Sequence, residues 1–327
     1  MNQPTHPSQD SLARLVQVGG RREMPPAQAY ERALTAATDV WQAKVRRRRR
    51  LRAFAAAASV AALAVSAAIT LRSLDWPAPP AEPVAQIARV VGAVRVRTGR
   101  GSDWSEAHEG TDWLPTHATV RTAAASALAL QLGQVSVRIA SEAEVVLESR
   151  SRLRLMHGKV YVDTGNHGPP GRVTVITPAA AVTDVGTQFE VQYDPASYQV
   201  RIREGEVLLR HEAGERRGHA GEQLSLDASG AISSTPIAAD DPAWRWIQVL
   251  ASAPDVENQP LTVLVAWVAR ETGITVRYAT PAVEQRAMTT ILHGSIHDLE
   301  PLQALSVMLA TTDLQHEVLA DGTIMIK

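Results

Sequence analysis

The chain has 327 residues, 33 Lys and Arg against 34 Asp and Glu, and no cysteine, so a disulfide framework and thiolate metal sites are excluded. Aromatic residues are 4%, so any core must be built mainly from Val, Leu, Ile and Ala. The formal net charge of −1 hides an asymmetry: residues 1–52 carry a net +7 and residues 75–327 a net −9.

Residues 1–50 are read as an arm. No sustained periodicity runs through residues 1–24. From Met24 onward Tyr30, Ala33, Leu34, Ala37, Val40 and Trp41 recur at helical spacing behind Pro25 and Pro26. The spacing predicts an amphipathic helix too short to bury its own stripe. Tyr30, Leu34, Ala37 and Trp41 are the candidate partner-binding residues, and a lone helix continuing the next segment is the simpler alternative.

Residues 51–74 are read as a single transmembrane helix. Five arginines, Arg46 to Arg50, and then Arg52 precede an uncharged run of 19 residues from Ala53 to Leu71. At about 1.5 Å per residue that run spans roughly 28 Å, close to the hydrocarbon thickness of a bilayer. Ten of the 19 residues are Ala, so hydropathy alone makes insertion marginal. The one-sided arginines and Trp76 favour an anchor with its N-terminus in the cytoplasm. A cleaved signal would carry its charges at the extreme N-terminus. A soluble Ala-rich helix is the other alternative.

Residues 75–85 hold Pro77, Pro79, Pro80 and Pro83, a stiff extended spacer. From 86 to 230 the pattern has period two. Val90, Gly92, Val94 and Val96 share one face, and the further inward candidates are Leu128, Leu130 and Leu132, Val135, Val137 and Ile139, Val145 and Leu147, Leu153 and Leu155, and Val160 and Val162. "DPAS" and "REGE" read as turns. The expectation is an all-β domain, either a sandwich or a solenoid-like stack.

Residues 231–255 form a connector with a short helix capped by Asp241 and opened by Pro242. Residues 256–327 change grammar again. The segment from Leu261 is a helix with Leu261, Leu264, Val268 and Ala269 inward and Gly273 as its stop. "ITVRY" and "TTILHGSI" read as strands, "LEPLQALSVMLATT" as a helix with Leu302, Leu305 and Leu309 inward, and the last residues as a hairpin turning at Asp321-Gly322. The fold class is therefore mainly β with α+β: one transmembrane helix, an all-β domain on the far side of the membrane, and a small C-terminal α+β module.

No constellation reads as catalytic, cofactor-binding or metal-ligating. No Gly-x-Ser-x-Gly elbow and no phosphate loop with its lysine occur. His293 and His297 have the spacing of a helical metal pair, but Gly294 between them favours a solvated loop. Glu204 and Glu206 flank Gly205 as paired carboxylates could, and a polar turn is the plainer reading.

The stretches "LMHGKVYVDTG", "ITPAAAVTDVGTQFEVQYD", "VRIREGEVLL" and "GEQLSL" resemble the FecR family of inner-membrane regulators. The most specific part is the box Gly186 to Val191, with Thr187 and Phe189, followed by Glu204-Gly205-Glu206-Val207. These are residues of fold, not of chemistry. The tail resembles the short N-terminal module of secretins and TonB-dependent receptors. The resemblance covers roughly residues 86–327. It implies a bacterial inner-membrane protein whose periplasmic part senses a TonB-dependent receptor, often one for iron chelates. The cytoplasmic arm would bind an extracytoplasmic-function sigma factor as an anti-sigma or co-activating element, with no direct nucleic-acid contact. The arm is shorter than the family's usual one and holds one tryptophan, Trp41. An envelope scaffold or periplasmic ligand-binding protein without a sigma-factor partner is the second reading.

Overall fold

The computed structural model describes residues 82–99, 101–110, 112–165, 173–227 and 229–327, and before these only residues 26, 28, 31, 32, 35 and 38. The chain divides into two compact units, Met1–Pro79 and Pro80–Lys327. In the first, residues 28, 31, 32, 35 and 38 are helical. Tyr30, Leu34, Ala37 and Trp41 and the run Ala53–Leu71 lie outside the described residues. Among the described residues no helix is long and apolar enough to cross a membrane.

The second unit opens with a β domain. Its strands are β1 (Pro83–Val91), β2 (Val94–Arg97), β3 (Ser105–Glu106), β4 (Trp113–Pro115), β5 (Thr119–Thr122), β6 (Ala127–Leu132), β7 (Val135–Ile139), β8 (Glu144–Ser149) and β9 (Arg152–Asp163). Then follow β10 (Thr174–Ile176), β11 (Ala181–Asp184), β12 (Gln188–Asp194), β13 (Ser197–Glu204), β14 (Glu206–His211), β15 (Gly214–His219), β16 (Glu222–Leu226) and β17 (Ile232–Pro236). One sheet, A, runs β4-β1-β6-β7-β9-β12-β13-β16-β17. The other, B, runs β3-β2-β5-β8-β9-β10-β11-β14-β15. Strand β9 belongs to both. Its first half pairs with β8 and β10, its second with β7 and β12.

Period-two alternation is what builds the core. Val137 and Ile139, Val160 and Val162, Phe189 and Val191, and Val200 and Ile202 come from sheet A. Val94 and Val96, Val145 and Leu147, Leu153 and Leu155, and Val207 and Leu209 come from sheet B, and all lie in one continuous core. The architecture is thus a sandwich whose successive hairpins alternate between sheets: β10–β11 in B, β12–β13 in A, β14–β15 in B, β16–β17 in A. Neither sheet closes into a barrel.

Two local readings change. Val90, Gly92, Val94 and Val96 do not share one strand: the chain turns at Gly92, β1 goes to sheet A and β2 to sheet B. Val90 is only half-buried and Gly92 is exposed. Within the connector, β17 adds a strand that completes sheet A.

After β17 a 3₁₀ turn (Pro242–Trp244) runs into α1 (Arg245–Gln248). Asp241 caps it, its Oδ1 accepting from the Ala243 N–H at 2.8 Å. The tail then folds as α2 (Leu261–Thr272), β18 (Val276–Tyr278), α3 (Pro281–Thr289), α4 (Pro301–Leu309), β19 (His316–Val318) and β20 (Ile324–Ile326). Its sheet has the order β18-β20-β19, with β18 and β20 parallel. Leu261, Leu264, Val268, Leu305, Leu309, Ile324 and Ile326 form its core.

The order helix–strand–strand–helix–strand–strand is corrected here. A helix, α3, stands before the "TTILHGSI" segment, and that segment is no strand, making only a single bridge between Ile291 and Pro260. Leu302 points outward, 41% exposed, because the buried stripe of α4 runs through Pro301, Ala304, Leu305, Met308 and Leu309.

Candidate functional site: a buried charge layer joins the two modules

The residues of sheet A that alternate with the core positions face the opposite way. Arg138, Tyr161, Glu190 and Arg201 are directly opposite one another in turn across β7, β9, β12 and β13. In an open sandwich this face would meet water. Here Arg138, Tyr161, Asp163, Gln188, Glu190 and Arg203 are buried.

Three ties account for the burial. Arg138 forks onto Glu271 of α2, Nη1 to Oε2 at 2.6 Å and Nη2 to Oε1 at 2.8 Å, and Nη1 also donates to the Ile247 carbonyl at 2.9 Å. Arg270 ion-pairs with Asp163, which also accepts from Gln188 Nε2 at 3.1 Å. Arg203 donates to the Ala239 carbonyl at 2.7 Å and the Glu271 carbonyl at 3.1 Å, which places a cation at the C-terminal end of α2.

The connector fills the rest. The Trp244 ring meets Tyr161 edge-on at 6.2 Å, and Trp246 Nε1 donates to Glu190 Oε2 at 2.6 Å. Glu190 also ion-pairs with Arg201. Gly273, at φ +72°, ends α2 where a Cβ would stand 2.0 Å from the Ala239 carbonyl oxygen, so no larger residue fits that approach.

Burial works against the Arg138 charge, but Glu271 outweighs it and holds the guanidinium above its ordinary value. Burial first, and the neighbouring Asp163 charge second, push the Tyr161 hydroxyl up. Taking two charges out of water costs several kcal/mol per ion, so such a layer specifies geometry more than it adds stability. Removing one partner would leave the other charge buried and alone. The arrangement therefore ties the C-terminal module to the β domain through buried polar contacts.

The motif residues sit beside this layer. Phe189 is fully buried, opposite Val162 on one side and Ile202 on the other. Gly186 turns the chain between β11 and β12, and Gly205 between β13 and β14. The two turns touch: a Cβ on Gly205, at φ +77°, would lie 2.2 Å from the Gly186 carbonyl oxygen and 2.7 Å from Thr187 Cγ2. Thr187 is buried, and its backbone N–H donates to Thr164 Oγ1 at 2.9 Å.

The structure separates the paired carboxylates. Glu204 faces Arg270 at 3.4 Å, while Glu206 faces Arg217 and His219, each at 3.4 Å. His293 approaches Glu257 at 3.1 Å, and among the described residues no group of three or more His, Cys, Asp and Glu could hold a metal ion. Sequence reasoning missed the charge layer. Its signal was there: charged residues on the outer face of central strands, with a tryptophan pair, Trp244 and Trp246, in the connector.

No curated protein matches the chain. Two crystal structures of a "putative anti-sigma factor" from Parabacteroides distasonis ATCC 8503 are similar at a distance. One shows 13% identity over 64% of this chain and 97% of that chain, the other 15% over 64% and 98%, both with a TM-score of 0.35. The family model described as FecR protein matches residues 118–208, from the loop before β5 into β14, so the sandwich of this chain carries a FecR domain.

Proposed function

We propose that this chain is a membrane-anchored signalling regulator that acts by binding proteins. Its body, Pro80–Lys327, would lie in the periplasm and respond to the signalling module of a TonB-dependent receptor. The arm, residues 1–50, would bind an extracytoplasmic-function sigma factor through the stripe of Tyr30, Leu34, Ala37 and Trp41. The observation that carries this reading is the FecR domain at residues 118–208. It is supported by the one-sided arginines before the uncharged run from Ala53 to Leu71. The weld between sandwich and C-terminal module suits a relay, because a partner's pull on either module would move both. A protein of this kind needs surfaces rather than a reaction centre.

Topology offers the first test. A reporter active only in the periplasm, fused after Lys327, is expected to be active, and neutral replacements of Arg46 to Arg50 and Arg52 are expected to lower that activity. Wild-type fusion found active only in an unanchored soluble fraction would contradict the reading.

A further inference from the structure

On the outer face of sheet B three arginines converge on one indole. The guanidinium carbons of Arg121, Arg97 and Arg95 lie 4.6, 4.8 and 6.0 Å from the Trp104 ring centroid. Arg95 and Arg97 stand on β2, whose alternate residues Val94 and Val96 enter the core. Arg95 is directly opposite Arg121 of β5. Like charges at that position repel, and the face of the indole offsets part of this.

The nearby carboxylates do not neutralise the cluster. Glu144 takes Arg121, its Oε2 accepting from Nε at 2.8 Å. Glu106 is opposite Arg95 in the ladder, but among the described residues neither Arg95 nor Arg97 forms an ion pair with a carboxylate. A cleft of about 460 Å³ opens beside them, lined by Ala93, Arg95, Glu106, Ala107, Arg121 and Ala123. Strand β3, only two residues long, ends sheet B here, and among the described residues one side of it is unpaired.

We propose that this corner binds an extended acidic peptide segment of a partner protein. The segment's backbone would add to the free edge at β3. Carboxylates on one face of the segment would meet Arg95 and Arg97. Arg95 and Arg97 bring two guanidinium groups to one indole with no carboxylate partner among the described residues, beside a strand edge, and that charge suits an acidic strand. An anionic lipid surface offers no backbone to that edge. This inference does not depend on the sigma-factor reading.

The test is fluorescence anisotropy of two labelled peptides, Ac-(Glu-Val)4-amide and Ac-(Lys-Val)4-amide, with the full chain in detergent at about 50 mM salt. The Glu peptide should bind at least ~10-fold more tightly than the Lys peptide. Arg97→Gln should weaken it severalfold and the pair Arg95→Gln with Arg97→Gln by ~10-fold or more, with thermal unfolding unchanged, since both side chains are outside the core. Equal affinity for the two peptides would overturn the proposal. So would binding indifferent to both variants, or tighter binding of soluble dihexanoylphosphatidylglycerol than of the Glu peptide.

Discussion

Glu271 of α2 lies in the fork of Arg138 on β7, both oxygens engaged at 2.6 and 2.8 Å, although the two residues are 133 apart in the chain. The pair is the centre of the layer that joins the C-terminal module to the sandwich. Glu271→Ala leaves the Arg138 charge buried without a partner. It is expected to cost about 3–5 kcal/mol in the free energy of holding the module in place. Replacing both, Arg138→Met with Glu271→Leu, should cost much less, because the buried charges leave together. Hydrogen exchange of β7 and α2 with urea unfolding, run as a double-mutant cycle, measures this. A cost for Glu271→Ala below about 1 kcal/mol would mean that water reaches the pair and the layer holds nothing.

Phe189 is fully buried at the middle of the sandwich core, between Val162 and Ile202 on its neighbouring strands. Phe189→Ala is expected to destabilise the β domain by about 3–5 kcal/mol, since an aromatic-poor core of short aliphatic residues has no large neighbour to swing into the cavity. Chemical denaturation monitored by far-UV circular dichroism reads this out. A loss of less than about 1 kcal/mol would show that the sandwich collapses around the gap.

Asp184 ends β11, buried, with Val173 N–H donating to its Oδ1 and Gly186 N–H donating to its Oδ2 at 3.3 Å. Burial pushes its carboxyl above the ordinary value of 3.8, against those backbone donors. An acid raised in the folded state binds its proton more tightly folded than unfolded. Its contribution to stability is therefore greatest below 3.8 and falls as pH rises through the folded value. The stability of the wild type relative to Asp184→Asn should fall as pH rises from about 4 toward neutrality. A difference that grows over that range would mean that the backbone donors dominate and the carboxyl is held low.

The sandwich was legible because large aliphatic residues recur at every second position in strand after strand from Leu128 to Val162, and a one-residue slip would have exposed the whole set. Gly92 misled, because a glycine on the apolar face of an alternating run looks like a small inward residue and not like a turn between sheets. Helix α3 was missed because its nine residues bury only Ala287 and carry no apolar stripe. Its signal was at the start: Pro281 in the first turn and Thr280 as cap, whose side chain accepts from Val283 N–H at 3.3 Å. The run "TTILHGSI" has the composition of a strand, yet Leu292 and Ile296 only anchor a loop to the module's core while Ile291 stays exposed. The charge layer left only indirect signs in the sequence, for another reason. Arg138, Asp163 and Glu190 occupy positions that face water in an isolated sandwich, and the residues that cover them, Arg270, Glu271 and Trp246, are between 56 and 133 positions away. The partner-binding stripe of the arm lies outside the described residues.

In the proposed function the arm holds a sigma factor while the body senses. The direct measurement is co-purification of the extracytoplasmic-function sigma factors of the source organism, tested as a panel, with the full chain, with a chain lacking residues 1–45, and with Trp41→Ala. One sigma factor should be retained by the full chain and lost without the arm. Trp41→Ala should weaken retention by about 2 kcal/mol, roughly 30-fold, with membrane insertion unchanged. Retention of no sigma factor by the full chain, or equal retention without residues 1–45, would contradict the account and favour an envelope scaffold.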